Sequence, residues 1–557
     1  MRRHPTGWLA AAACALATAG ASAQAPSDAH IQALIAEATA NLASGDAAAQ
    51  APPSAMQSTD TRPVVSLTLD EAVKAALDHN LDISVQRLNP QLSDIQVASA
   101  RAAYRPSLTS LLSSTSDTNA STSTISGASA GAAVTTTRNT FNGGISQNIP
   151  WFGGTVNVQL NNQRQTTTNL TALINPVFNS TWTGQYSQPL FRNFLIDASR
   201  QQLQIARINR GISDVQLRAS ITNTLSNVRN AYWDLVFATQ AVEVARQSLD
   251  LATKLVSDNQ TRVEIGTMAP IDVVQARAEQ ATRRQGLVAA ESTRRTTELT
   301  LKRLIVGGTT DPLWNASIAP TDRPDFNPQP VDVEAAVRRA LSERTDLEIA
   351  RKNIQANDVT MKYLVNQTRP DADLVLSYGY SGTGGTRLDT IGNGVNRTVI
   401  GSTPGGYADA LASLFRRNLP RWVVQMNISY PIGMSTQSAA AARARVQLNQ
   451  VQAQIKQIEL QVATDVTNAA VQVQNAAEAV QAAQASRELS EQRLEAEQSK
   501  FEVGMSTNYF VVQAQRDLAD ARNAELRATL NYRKALVELE RLQQTTLQNL
   551  NITVLGR

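Results

Sequence analysis

From Ser435 to Val503 the sequence contains neither proline nor glycine. A chain carrying so long an uninterrupted helical stretch cannot fold as an ordinary compact domain. Rich in Ala, Gln, Glu and Arg, the stretch would span about 100 Å at 1.5 Å per residue. Its apolar residues Val451, Ile455, Ile458, Val462, Val466, Ala469 and Val473 recur at alternating three- and four-residue steps, the seam of a coiled coil. Such a rod needs partners along its whole length. The same chain offers one, because Ala198 to Ile265 is written in the same style with Gly211 its only weak point. A second helical run follows Gly504 and reaches Leu547.

The similarity extends beyond the rods. In the helix opening VEAAVRRALSERTDL, residues Val333, Ala336, Val337, Ala340, Leu341, Asp346 and Leu347 match Leu69, Ala72, Val73, Ala76, Leu77, Asp82 and Ile83 at a constant offset of 264. Arg369 and Pro370 match Arg105 and Pro106 at the same offset, which makes chance similarity a poor account. Ser429, Tyr430, Pro431 and Ile432 then correspond to Ser187, Gln188, Pro189 and Leu190 at an offset of 242, so the first copy is longer by 22 residues in its middle. Gly266 and Gly504 correspond at 238, each closing a long helix and opening a shorter one. Two copies of one unit are expected over 66–306 and 331–547. A Gly, Pro and Asp rich linker over 307–330 separates them, and 548–557 forms a tail. Each unit reads helix, β segment, very long helix, tight turn, helix. The first helix opens near Thr68 and continues without a break to Tyr104.

Composition narrows what such units can be. Aromatic residues make up only 5% of the 557, too few for a large conventional core. The 51 basic and 47 acidic residues are interspersed with no block of Lys or Arg, which fits solvated helix faces better than a nucleic-acid surface. Met1 to Ala23 has a secretory form, with Arg2 and Arg3 before an apolar run and Ala21, Ser22 and Ala23 at the end; cleavage after Ala23 is expected. The only cysteine, Cys14, lies inside that peptide, in a context that favours removal over lipid anchoring. The mature chain then has no cysteine and only His30 and His79, which excludes disulfides, thiol catalysis and a His/Cys metal site. Residues 24–65 read as an Ala, Ser and Pro rich extension. No later stretch approaches about 18 uninterrupted apolar residues, so a membrane crossing would have to be made by a β-barrel.

The β segments make that argument. Trp422, Val424, Met426, Ile428 and Tyr430 alternate with Gln425, Asn427 and Ser429, one greasy face and one wet. Leu374, Leu376, Tyr378 and Tyr380 repeat the pattern, as do Val156, Val158 and Leu160 against Asn157, Gln159 and Asn161. A soluble sandwich would use the same alternation, but the polar sides are Gln, Asn, Ser and Thr, suited to a watery lumen. Clear strands fall near 106–116, 180–190, 372–382 and 421–431. The additional sequence FNGGISQNIPWFGGTVNVQLNNQ reads as a hairpin turned at Pro150 to Gly154, which makes six strands if it lies in the barrel wall and leaves four if it lies outside. A barrel needs about eight, so the chain must pool strands with copies of itself.

From about Leu67 to Leu547 this pattern resembles the TolC-type outer-membrane efflux protein family. The resemblance rests on the doubled helix openings at Leu69 and Val333, the Arg-Pro exits at Pro106 and Pro370, the strand-ending Gln188 to Phe191, and the paired glycine turns. It implies an α+β membrane protein: a homotrimer whose strands form one outer-membrane β-barrel, surrounded by lipid and continued by a long periplasmic α-helical barrel of coiled-coil helices. By the same resemblance the tunnel meets an inner-membrane pump through a periplasmic adaptor, and exports small molecules or polypeptides passively. No cofactor and no catalytic residue is expected. The alternative is a periplasmic coiled-coil adaptor or structural protein without a pore, which would not need greasy-faced strand hairpins.

The resemblance also makes the two glycine turns the periplasmic tip that narrows the tunnel. As plain hairpin chemistry, Gly266 and Gly504 suit positive-φ turns and Pro270 suits a first helical turn; Ser506, Thr507 or Asn508 can cap the helix after the second turn. Family members carry acidic residues six and nine positions after the second glycine. Here Phe510 and Gln513 stand there, so this sequence departs from the acidic pattern. Asp272, six positions after Gly266, could form three symmetry-related carboxylates or pair with Arg262, or serve only as a first-turn acid on the helix dipole. The candidate tip and gate residues are Arg262, Gly266, Asp272, Lys500, Gly504, Phe510 and Gln513.

Overall fold

The computed structural model describes residues 62–121, 127–128, 132–323, 326–328, 330–392 and 397–552. The expected signal peptide and nearly all of the 24–65 extension lie outside the described residues, as does the tail from 553 onward. The described chain opens with β1 (Val64–Leu67), α1 (Leu69–His79), α2 (Leu81–Gln86) and α3 (Leu88–Ala102). Four strands follow, β2 (Ser107–Ala120), β3 (Ala133–Asn148), β4 (Thr155–Thr167) and β5 (Ile174–Pro189), and then the helices α4 (Ala198–Glu264) and α5 (Pro270–Ile305). A short α6 (Pro312–Asn315) and β6 (Ser317–Pro320) lead to α7 (Val333–Glu343), α8 (Thr345–Gln367), β7 (Asp371–Ile391), β8 (Thr398–Thr403) and α9 (Tyr407–Phe415). The chain ends through β9 (Pro420–Ser429), α10 (Thr436–Glu502), α11 (Asn508–Leu542) and α12 (Thr546–Asn549).

The two rods form as their composition dictates. α4 and α10 each run 67 residues without a break, about 100 Å at 1.5 Å per residue. Each is started by a side chain that accepts a hydrogen bond from the third helical N–H, Asp197 for α4 and Ser435 for α10. Gly211 does not interrupt α4; a Cβ there would approach the Lys352 ammonium of α8. The apolar seam of α10 is buried as its spacing predicts: Val462, Val466, Ala469 and Val473 sit in one cluster with Leu347 of α8 and Tyr532 and Leu539 of α11. Each rod is covered over its lower half by the helix returning from its own turn, and over its upper half by α8, with α1 to α3 also lying along α4.

Where one helix is expected from Thr68 to Tyr104, the structure has three. Thr68 and Glu71 form a reciprocal cap at the start, with Glu71 N–H donating to Thr68 Oγ1 at 3.2 Å and Thr68 N–H to Glu71 Oε2 at 2.9 Å. After the 11 residues of α1, Asn80 adopts φ −64°, ψ 124° and re-caps the chain by accepting from Ile83 N–H at 3.0 Å. Its Nδ2 also donates to the Leu304 carbonyl of α5 at 2.8 Å, so a tertiary bond fixes the break. Arg344, at φ −62°, ψ 130°, breaks α7 from α8 with a similar backbone conformation but without a side-chain cap.

Halfway along the rods the stretch expected as a plain linker is built into the core. β6 pairs in parallel with β1, and Tyr232 of α4, fully buried, donates to Asp322 Oδ2 at 2.7 Å while Leu69 N–H donates to the same oxygen. Beside it the buried Lys302 ammonium pairs with Glu298 at 2.7 Å and donates to the carbonyls of Trp314 and Ala316.

At the far end the strands form one antiparallel sheet, β2-β3-β4-β5-β7, with β9 pairing the lower part of β7 and the short β8 its upper part. The hairpin expected around Pro150 to Gly154 joins β3 to β4 inside the sheet. Register makes the faces explicit, because directly paired residues project to one side. Leu108, Ile145, Val158, Gly184, Tyr378 and Trp422 form one row across all six long strands. Val156, Tyr186, Leu376 and Val424 form the next, and Leu160, Trp182 and Tyr380 a third. The opposite side carries Thr109, Asn157, Gln159, Thr183, Ser377 and Gln425. Its two edges, β2 and β9, have no strand partner on their outer sides among the described residues.

Candidate gate at the helical tip

The two rods end together, about 100 Å from the sheet, in turns of identical construction. Gly266 has φ 76° and Gly504 φ 79°. In the first turn Thr267 N–H donates to Arg262 O at 2.9 Å and Gly266 N–H to Val263 O at 3.0 Å. In the second, Met505 N–H donates to Lys500 O at 2.8 Å and Gly504 N–H to Phe501 O at 3.2 Å. Both are the paired bonds of a Schellman ending, which requires a left-handed residue and favours glycine there. Pro270 then occupies the first position of α5, as expected. After the second turn Thr507 stands at the cap position but makes no side-chain cap bond. Asn508 turns sideways instead, and Ser506 Oγ donates to Glu497.

That sideways turn joins the hairpins. Asn508 Oδ1 accepts from Asn259 Nδ2 at 2.9 Å, and Asn508 Nδ2 donates to the Asp272 carbonyl at 3.3 Å. Both amides are buried, and Asn259 Oδ1 has no donor among the described residues. Arg262 lies 4.4 Å over the Phe501 ring and donates to the Phe501 carbonyl at 3.2 Å, a cation–π contact worth about 0.5–1 kcal/mol at such a site. Phe501 packs with Leu255, Ala276, Leu494, Val511 and Leu518, one apolar cluster drawn from all four helices. One turn higher, the buried Glu279 of α5 is held by Arg283 at 2.7 Å and by Arg516 of α11. Burial raises the affinity of Glu279 for a proton, but the Arg516 and Arg283 guanidiniums outweigh it and hold the carboxyl below the usual range.

The remaining predicted residues divide. The Asp272 carboxylate forms no pair with Arg262, which is committed to Phe501; only the Asp272 backbone joins the network. Lys500 pairs with Glu497 on its own helix at 2.7 Å. That ammonium, with the Ser506 hydroxyl, lowers the Glu497 pKa. Gln513 donates to Asp517 at 2.7 Å. Phe510 is half exposed and meets Tyr509 edge to face at 5.5 Å. Ile265, Ile271, Val503 and Met505 are exposed as well, so the tip presents apolar surface.

The sequence matches the description of outer membrane efflux proteins over residues 150–307 and 336–543, well over half the chain. The chain belongs to that family. It is an outer-membrane efflux channel, with a large periplasmic helical part, and the reading as a pore-less coiled-coil protein is set aside. Solved structures share the channel's fold. The CmeC outer membrane channel of Campylobacter jejuni is 14% identical with a TM-score of 0.60, covering 87% of this chain and 88% of its own. The outer membrane protein VceC of Vibrio cholerae is 15% identical with a TM-score of 0.58, covering 85% and 95%. The open state of the MtrE channel of Neisseria gonorrhoeae is 16% identical with a TM-score of 0.57, covering 85% and 88%. Among curated proteins, no sequence matches it significantly.

Three residues of the channel's tip were not singled out by sequence: Asn259, Asn508 as a buried tie, and Glu279. Glu279 and Arg283 at i, i+4 were visible as a helix pair, whereas the reach to Arg516 spans 237 residues of sequence.

Proposed function

We propose that three copies of the channel join edge to edge, β2 of one against β9 of the next, closing a single barrel whose lumen continues through the helices to a tip formed by the two glycine turns. The observation that carries this reading is the open sheet. It has one greasy side, one polar side and two unpaired edges, with Leu108 and Trp422 on those edge strands 81% and 71% exposed. Six long strands are too few to close alone, whereas three chains supply eighteen, comparable with the roughly 16–18 strands of porins that leave an aqueous channel. Each edge also continues into a helix with an unmet apolar seam. On α2 and α3 it is Leu81, Val85, Leu88, Leu92 and Ile95, a heptad seam open to solvent; on α10 it includes Val446 and Leu460. The duplicated unit places two hairpins per chain around the tunnel, six in the trimer.

In this reading the channel is a passive duct that a periplasmic adaptor couples to an inner-membrane pump. The adaptor docks on the exposed Ile265, Ile271, Val503 and Met505 of the tip, and the partly satisfied Asn259–Asn508 tie lets the hairpins separate. Asp272 and Phe510 face the constriction. The test is conductance in planar bilayers: the mature protein forms trimer-sized pores, and D272A and F510A each raise single-channel conductance. A water-soluble monomer that leaves liposomes sealed would overturn the duct; pores with unchanged conductance in both variants would remove these two residues from the gate.

A further inference from the structure

Helix α9 takes no part in the duct, because it lies on the greasy side of the sheet. Tyr407 Oη donates to Asn162 Oδ1 at 2.8 Å and its ring meets Phe178 at 6.3 Å. Asn162 and Phe178 project to the same side as Leu160 and Trp182. The fit is backbone on backbone: a Cβ on Gly382 or Gly384 of β7 would collide with the main chain of Ala410. Ala410 and Leu414 are buried against the sheet. Facing away from it, Phe415 is 77% exposed and Leu419 lies open beside it.

The height of α9 on the sheet is informative. It covers the row Gly382, Ser180, Asn162 and Phe141, where the greasy side begins to turn polar, and the next row carries Arg164, Asn139 and Ser114. That row lies toward the strand ends remote from the helices, where the outer leaflet meets water. Cations gather there. Arg416 and Arg417 follow Phe415 directly, with the Arg417 guanidinium 5.9 Å over the Tyr380 ring. Arg164 stands beside Phe178 at the other end of α9. All three are exposed, and none has a carboxylate partner among the described residues. The one acid of α9, Asp409, is turned to the Gly406 N–H at 2.7 Å.

We infer that α9 with Arg164, Arg416 and Arg417 forms a docking surface for a phosphate-bearing lipid of the outer leaflet. Phe415 and Leu419 enter the acyl region, and the guanidiniums take the headgroup phosphates in the two-pronged geometry that suits arginine. Favourable interaction of Arg416 and Arg417 with the helix C-terminus would explain those two charges. It would explain neither Arg164 nor the exposed ring between α9 and the bilayer. The inference rests on the sheet's greasy side facing lipid.

The test uses the detergent-purified full protein, lipid A and chemically dephosphorylated lipid A, with retained lipid counted by native mass spectrometry. Wild type retains lipid A, and R164Q/R416Q/R417Q retains it about tenfold less, as expected for several lost cationic contacts at a membrane surface. The dephosphorylated lipid binds both proteins alike, and F415S weakens both lipids. Equal retention of lipid A by wild type and the triple variant overturns the inference. So does full displacement of lipid A by equimolar inorganic phosphate, which would make the site an anion site. Conductance of the triple variant in neutral phosphatidylcholine bilayers is read alongside; its persistence separates failure of the lipid site from failure of the duct.

Discussion

Asn259 and Asn508 tie the two hairpins through groups that water does not reach, so their value lies in being matched. Removing one partner strands the other in an apolar surround at a cost of about 1–3 kcal/mol, whereas replacing both with apolar groups of similar shape is close to neutral. N508L is therefore expected to lower the melting temperature of the helical part, and N259L/N508L to recover most of the loss. A double variant as unstable as the sum of the singles would show that the two amides do not act as a pair. Nothing local in the sequence marks either residue. Asn259 sits in the polar run Ser257 to Gln260, and its partner is 249 positions away, so burial was decided by tertiary packing alone. The glycines were legible because a left-handed helix ending leaves a compositional trace. The Arg262–Phe501 contact leaves none.

Among the elements, those whose rule is local were the readable ones. The bounds of α4 and α10 follow from where helix breakers resume, and the β3–β4 hairpin from alternation around Pro150 to Gly154. The breaks at Asn80 and Arg344 were not readable, since the first depends on the Leu304 carbonyl of a helix more than 200 residues later. α9 was equally hidden, because its seat is made by glycines of another strand. The contact of α5 with α11 carries its own expected behaviour. Glu279 has a depressed pKa in the folded channel, so the stability it contributes is present above its ordinary value of about 4.5 and is lost as pH falls through the lower folded value. E279Q should melt earlier than wild type at neutral pH, and the two should converge as the pH falls through the lowered folded value. Melting curves of the two proteins that stay parallel from neutral pH into acid would refute a role for that charge.

At the scale of the whole molecule the unpaired edges make the sharpest demand. An edge strand with its backbone groups unspent and greasy side chains exposed is a liability unless another strand covers it, and here both edges, β2 and β9, are of that kind. Pairing β2 with β9 is heterologous, so it either closes into a ring or runs on as a filament. In the proposed ring the helices decide which, because the α2–α3 seam below β2 would have to meet the exposed Val446 and Leu460 of α10 below β9 at the same turn. With Cys14, the one cysteine of the sequence, lying in the expected signal peptide, cysteines placed singly at Ser110 in β2 and along Trp422 to Ile428 in β9 should therefore crosslink between chains at one register. The bonds that form require Cβ atoms about 3.5–4.5 Å apart. Covalent dimers and trimers, and nothing larger, are expected on a denaturing gel, and L88D/L92D should abolish them by charging the seam. A ladder continuing past the trimer would mean that the edges meet but the ring does not close, and the duct would then lose its wall.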